Sequence, residues 1–271
     1  MDNDDRQVGR VLSRREVLTL LGVAGGGLAV RTFGRWGTPL LAWTAAARVS
    51  TALAQTVAPT CVVRPELTEG PYFVDNQLNR SDIRAEPTDG TIKDGLPLSL
   101  AFNVSQIGET CAPLGGATVD VWHCDALGVY SGVTDQGFNT VGTSFLRGNQ
   151  VTDESGVARF LTIVPGWYQG RTVHIHFKIR TLAAAGGTYE FTSQLFFDDA
   201  LMDEVLAQPP YSTKAGIRST RNSNDGIFSS DMLLQPTRSD AGLDAVFAIG
   251  LDLSDTAAGA ADHNAQGGRR P

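Results

Sequence analysis

The sequence has little of what marks several common protein classes. No apolar run reaches the ~20 uninterrupted residues of a membrane-spanning helix. The two most apolar stretches, residues 18–30 and 39–54, are separated by Arg31 and Arg35, and the second is interrupted by Arg48, so no stable membrane span is expected. Basic residues are outnumbered, 22 Lys and Arg against 29 Asp and Glu, for a formal net charge of −7. That balance gives no electrostatic reason to expect a nucleic-acid partner, which calls for a basic surface. Cysteine is scarce: Cys61, Cys111 and Cys124 allow one disulfide and one free thiol. No internal repeat is visible, and nothing in the sequence sets an oligomeric state.

What is present describes a core-forming, turn-rich chain. Apolar residues make up 42% and charged residues 19%, with 30 glycines and 12 prolines among 271 residues. Segments rich in β-branched and aromatic residues lie at 96–105, 117–124, 157–164, 173–181 and 189–197. Each is bounded by turn residues such as Gly115-Gly116, Gly156, Pro165-Gly166 and Gly186-Gly187. Strands at this spacing without helical periods between them predict an all-β fold, a β-sandwich core with long loops. Residues 200–208 form the best short-helix candidate, stopped by Pro209-Pro210. Residues 255–271 are rich in Ala, Gly and Arg and read as a disordered tail. Cys61 and Cys111 lie in loop-like sequence and are the favoured pair, whereas Cys124 on a strand reads as a small buried hydrophobe.

The chemistry is concentrated in Thr172-Val173-His174-Ile175-His176-Phe177-Lys178-Ile179. Successive strand side chains alternate faces, so His174 and His176 point the same way, roughly 6.5–7 Å apart along the strand. That arrangement suits two imidazoles closing on one metal ion. A 2-His-1-carboxylate iron site would want Asp or Glu close by, but the neighbours are Val173, Ile175 and Phe177. Upstream, Pro165-Gly166-Trp167-Tyr168-Gln169-Gly170-Arg171 is a turn able to swing Tyr168 back toward that face. Trp122-His123-Cys124-Asp125-Ala126-Leu127-Gly128-Val129-Tyr130 ends another strand and sets a second tyrosine at a glycine turn. Phenolates are hard anionic donors, and two of them with two imidazoles favour hard ferric iron over zinc or copper.

At these residues the sequence resembles the intradiol ring-cleavage dioxygenases, the family of catechol and protocatechuate dioxygenases. The likeness runs from Thr68-Glu69-Gly70-Pro71-Tyr72-Phe73 to Gln194-Leu195-Phe196-Phe197. It implies a non-haem Fe(III) cofactor held by Tyr130, Tyr168, His174 and His176. It also implies a catechol-type substrate and O2 as reactants, with cleavage to a cis,cis-muconate. Tyr168 corresponds to the axial ligand that substrate displaces. Arg171 corresponds to a charge-stabilising arginine and Gln194 to a substrate-orienting glutamine; the bland readings are a solvated surface charge and a strand-face amide. Gly70, Pro71 and Tyr72 correspond to the segment that closes the substrate pocket. One departure stands out: Tyr168 and His174 lie only six residues apart, where the classical enzymes carry a longer insertion. No basic cluster near residues 70–73 announces a carboxylated ring, which favours catechol and alkyl- or hydroxy-catechols over protocatechuate.

The N-terminus carries Ser13-Arg14-Arg15-Glu16-Val17-Leu18 before the apolar, Gly-rich stretch, and Ala52-Leu53-Ala54 before Gln55. The pattern resembles a twin-arginine export signal removed near Gln55. Residues 1–54 are accordingly expected to be a signal, 55–254 the catalytic domain, and the protein periplasmic or extracellular. Two rival readings remain at this stage. One is an exported copper or zinc sandwich using His123 with the histidine pair, which leaves both tyrosines unexplained. The other is a non-enzymatic domain binding aromatic or polysaccharide material.

Overall fold

A computed structural model describes residues 61–255 and 257–259. The expected signal segment, residues 1–54, and most of the expected tail lie outside the described residues. In chain order the strands are β1 (Pro97–Gln106), β2 (Ala112–Pro113), β3 (Thr118–Trp122), β4 (Thr134–Asp135), β5 (Phe138–Asn139), β6 (Arg147–Val151), β7 (Val157–Ile163), β8 (His174–Leu182), β9 (Thr188–Phe196), β10 (Thr237–Ser239) and β11 (Gly242–Leu251). Among the described residues there is one α-helix, α1 (Asp199–Leu206).

Two main sheets follow from this order. In the first, β1 runs parallel to β11 and antiparallel to β7, β10 flanks β11, and β2 pairs with the end of β1. The second is wholly antiparallel, in the order β6-β3-β8-β9. Strand alternation sends Leu98, Leu100, Phe102 and Val104 of β1 and Leu243, Ala245, Phe247 and Ile249 of β11 inward. They meet Val119 and Val121 of β3, Ile175, Phe177 and Ile179 of β8, and Phe191 and Leu195 of β9 in one buried cluster. This is the sandwich core that the alternating apolar pattern predicts.

The opposite face of the second sheet positions the site. Residues paired across strands share a face, and the register sets Arg147, Trp122, His176 and Gln194 in one row. The next row holds Asn149, Asp120, Lys178 and Thr192. These side chains are buried as well, because residues 64–76 lie over them. The Leu67 N–H donates to Thr192 O at 3.0 Å, and the Phe73 ring packs on Trp122 at 4.9 Å between centroids. Strand β8 is therefore buried on both faces, apolar toward the core and polar toward the loops.

Helix α1 begins at Asp198, whose carboxylate accepts from the N–H groups of Ala200 and Leu201, and it turns Met202 and Val205 inward. It stops before Pro209-Pro210, neither of which can donate a backbone hydrogen bond. Cys61 and Cys111 form a disulfide with Cα atoms 5.4 Å apart, and Cys124 is free and buried. Within the expected tail, Ala258 packs on the core and the Gly259 N–H donates to Glu66 Oε1 at 2.8 Å. Packed chain thus continues past residue 254. Among the described residues no helix is long and apolar enough to cross a membrane.

Candidate metal centre

The site grows from the first turn of polar residues on β8. His174 Nδ1 lies 2.7 Å from Thr172 O. A carbonyl only accepts, so Nδ1 carries the proton and Nε2 presents its lone pair outward. That lone pair lies 3.0 Å from His176 Nε2 and 3.1 Å from Tyr168 Oη. Trp122 stacks on His176 at 5.0 Å and 9°, which fixes the second ring. For His174 the Thr172 carbonyl is the partner that orients the non-ligating nitrogen, as metal sites require. His176 Nδ1, by contrast, is buried without a partner among the described residues, and that ring is held by stacking alone.

Both tyrosines arrive on interlocked loops. A Cβ on Gly166 would sit 2.2 Å from Ala126 O, and one on Gly128 would sit 2.4 Å from Trp167 O. Only glycine lets the backbone before Tyr130 and the backbone before Tyr168 come so close. The rings end 5.8 Å apart, with Tyr130 6.2 Å from His176 and Tyr168 5.6 Å from His174. Tyr130 is 1% exposed, and its hydroxyl has no hydrogen-bond partner. A buried hydroxyl without a partner is costly. A cation shared with the other three donors relieves that cost, so the four residues fit the ferric ion implied by the sequence.

Burial also sets their charge. It lowers His174 to about 3, reinforced by the Arg171 charge, and drives His176 well below its ordinary value, with His174 adding to the effect. Burial likewise raises the phenols of Tyr130 and Tyr168. Without a cation the imidazoles are neutral donors and the phenols stay protonated. Converting those phenols to phenolates needs a strong, hard Lewis acid. Two phenolates would then offset two of the three charges on Fe(III).

The structure overturns the His123 reading. His123 is fully buried, its Nδ1–H donates to Cys124 O at 2.8 Å, and its Nε2 accepts from Thr162 Oγ1 at 2.7 Å. Neither nitrogen is available to a metal. Among the described residues no group of three His, Cys, Asp or Glu side chains could hold one.

Arg171 is not a solvated surface charge. Its side chain is 16% exposed; Nε donates to Asp225 Oδ2 at 2.9 Å and Nη2 to Gln194 Oε1 at 2.5 Å. Gln194 Nε2 donates to Thr68 O at 2.7 Å. The glutamine amide is committed at both ends to protein, so here it orients Arg171 and the Thr68 backbone. Gly70 has φ +76°, and a Cβ there would lie 3.3 Å from His176 Cε1, so Pro71 and Tyr72 turn directly over the histidines. Tyr72 stacks on Tyr130 at 4.5 Å between centroids and donates to the Asp135 carboxylate. The sequence reading missed Asp225, Thr68, Trp122 and Asp135. Asp225 lies 54 residues from Arg171, and no local pattern links the two. For Asp225, burial alone would raise the carboxyl, but the Thr172 and Ile227 N–H groups and Arg171 hold it below the usual range.

The family model described as Dioxygenase (Dioxygenase_C) matches residues 68–233, which contain every residue of this centre. Chlorocatechol 1,2-dioxygenase of Pseudomonas putida is 30% identical over 154 residues, 48% of this chain and 52% of that protein. The protocatechuate 3,4-dioxygenase beta chain of Burkholderia cepacia is 34% identical over 102 residues, 34% of this chain and 43% of that one. The chain thus spans about half the length of the curated relatives it matches. Solved structures cover more. An intradiol ring-cleavage dioxygenase from Tetranychus urticae superposes with a TM-score of 0.61 at 30% identity, over 72% of this chain and 96% of that one. The dioxygenase domain of a carbohydrate-binding fusion protein from Streptomyces sp. SirexAA-E gives 0.50 at 26% identity, over 70% and 99%. With two phenols and two imidazoles converging on one buried point inside the matched segment, the chain belongs to the intradiol ring-cleavage dioxygenase family.

Proposed function

We propose that the protein is an exported, Fe(III)-dependent enzyme that uses O2 to open catechol-type rings between the two hydroxyls, giving cis,cis-muconate-type products. The observation that carries this reading is the donor set. His174 Nε2, His176 Nε2 and Tyr168 Oη lie about hydrogen-bond distance apart, with the unpartnered Tyr130 hydroxyl beside them and no carboxylate among the residues proposed as ligands.

When bound, ferric iron would supply the redox-active Lewis-acid chemistry that makes a catechol ring reactive toward O2. The chain's own groups do the rest. His174 and His176 would donate imidazole lone pairs to the metal, and Tyr130, being fully enclosed, would be the phenolate that stays in place. Tyr168 is only partly buried and sits on a short loop, so its Oη would be the one placed to accept a proton from an incoming catechol. Arg171 supplies positive charge where negative charge develops on the ring, the kind of preorganised electrostatics that carries much of catalysis. Tyr72 and Phe73 roof the site, Phe73 packing down on Trp122, and would limit water.

Relatives named for chlorocatechol and protocatechuate support a catechol-type ring without choosing its substituent. The Asp135 carboxylate beside Tyr72 supports rings without a carboxylate of their own. The twin-arginine pattern and the Cys61–Cys111 disulfide support export, since disulfides persist in oxidising compartments. The deciding experiment records the visible spectrum of the purified protein, adds a panel of catechols anaerobically, and then admits oxygen. A phenolate-to-iron band that shifts with catechol and bleaches with O2 uptake supports the reading. A colourless protein, or one with full iron and no uptake with any catechol, rejects it.

A further inference from the structure

Arg171 is held from two sides by residues remote in sequence. Asp225 takes its Nε–H and Gln194 takes its Nη2–H. The carboxylate that does this is itself aimed: Asp225 Oδ2 also accepts from the Thr172 N–H at 2.7 Å, and Oδ1 accepts from the Ile227 N–H at 2.7 Å. The Asp225 side chain is 1% exposed. The segment carrying it is fastened on both flanks. Asn222 accepts from Thr172 Oγ1 at 2.7 Å and donates through Nδ2 to Phe197 O at 2.8 Å. Phe228 packs on Phe196 at 5.2 Å between centroids. Among the described residues Nη1 of Arg171 has no protein partner. The guanidinium lies close enough for its charge to act on Tyr130, Tyr168, His174 and His176.

An arginine side chain has several rotatable bonds and a planar fork whose usefulness depends on its direction. With Nε–H and one N–H of Nη2 engaged, the rotation of the guanidinium is fixed, and the two N–H groups of Nη1 and the second of Nη2 are left to meet another molecule. We infer that Asp225 is a positioning residue for the ring cleavage proposed above, holding Arg171 so that Nη1 faces the reacting ring, and that it acts on the reaction chiefly through Arg171. The inference rests on that functional reading. A carboxylate that merely closed its own loop would need no contact with Nε, and its loss would burden the enzyme equally whether or not Arg171 were present.

The test compares wild type with Asp225→Ala, Arg171→Ala and the double variant, each as the iron-loaded full chain with iron quantified. Asp225→Ala is expected to lower kcat about 10- to 100-fold, the scale of a small misplacement of a catalytic group. Iron content, the visible band and its shift with catechol should be retained. In the Arg171→Ala background the same change should alter kcat by less than about twofold, because the two residues act as one unit. Equal fold losses in the two backgrounds overturn the inference. Should Asp225→Ala fail to fold, Asp225→Asn replaces it in the cycle under the same criteria. A readout independent of turnover is the rate at which phenylglyoxal modifies Arg171, followed by peptide mass spectrometry. Release of the clamp should speed that labelling severalfold while Arg221 labels as in wild type, and an unchanged rate overturns the inference. If wild type consumes no O2 with any catechol, the functional reading falls, and the labelling rate still decides whether Asp225 holds Arg171.

Discussion

At the scale of single residues, the two tyrosines share a chemical group but not an environment. Tyr130 is enclosed with an unpartnered hydroxyl, whereas Tyr168 is partly buried at a loop. Tyr130→Phe should therefore lose iron or abolish most of the visible band, while Tyr168→Phe should keep some iron and turn over poorly. Metal analysis and absorption spectra of the two variants check this, and an unchanged spectrum in both would remove the tyrosines from the ligand set. Arg171→Ala should keep iron and colour and still bind catechol, yet lose roughly 10²–10³ in kcat, the size expected for one preorganised charge stabiliser. Arg171→Lys should recover part of it, since an ammonium cannot reproduce the planar fork; near-normal oxygen uptake in both variants would refute the role. His123 gives a pH test. Its folded-state value is lowered to about 4 by burial, against about 6.5 unfolded. Between those values the unfolded chain holds the proton and the folded chain does not, so stability falls as pH drops from 6.5 toward 4. Taking wild type from pH 7 to pH 4.5 should cost on the order of 2–3 kcal/mol more than taking His123→Gln, read from urea midpoints. The histidine pair and both tyrosines were legible because alternation and turn residues are local signals. Asp225, Thr68 and Asp135 were not, since each reaches the site only through tertiary folding.

Strand β8 shows what holds at the scale of elements. Its odd positions, Ile175, Phe177 and Ile179, enter the core, and of its even positions, His174, His176 and Lys178, the two histidines carry the chemistry. Phe177 is wholly buried and packs against Phe102, Phe191 and Phe247. Phe177→Ala should cost about 3–5 kcal/mol in denaturant unfolding, the usual result of a large core cavity; a loss under about 1 kcal/mol would contradict this packing. The five long strands read from β-branched and aromatic content match β1, β3, β7, β8 and β9 within two residues at each end. The helix expected at 200–208 runs from Asp199 to Leu206, one turn-end shorter because the Val205 carbonyl already accepts from the Ala207 cap. Strand β6, Arg147-Gly148-Asn149-Gln150-Val151, was missed because glycine and amides hide a strand whose pairing is set by its neighbour β3. Strand β11 was missed although Leu243, Ala245, Phe247 and Ile249 alternate inward. Apolar Val246 and Ala248 between them blur the period, and Val246 is exposed despite its type.

For the whole molecule, the disulfide and the proposed export are linked through redox chemistry. Cys61 and Cys111 are 50 residues apart, so closing that loop should stabilise the fold by about 4 kcal/mol through the unfolded chain's lost entropy. Cys124 is buried, and burial raises its thiol well above the ordinary range, so it should stay reduced and unreactive in either compartment. Location therefore writes itself into the thiol count. Exported protein should show one thiol after denaturation, and protein retained in a reducing cytoplasm should show three. The twin-arginine receptor reads paired guanidinium groups that lysine does not reproduce. Replacing Arg14 and Arg15 with lysines should hold the chain in the cytoplasm, where it carries three thiols and melts at a lower temperature than exported protein. Fractionation, thiol titration under denaturing conditions and N-terminal sequencing test this together. The wild-type exported form should begin near Gln55, and a lysine variant exported normally with one thiol would reject the route.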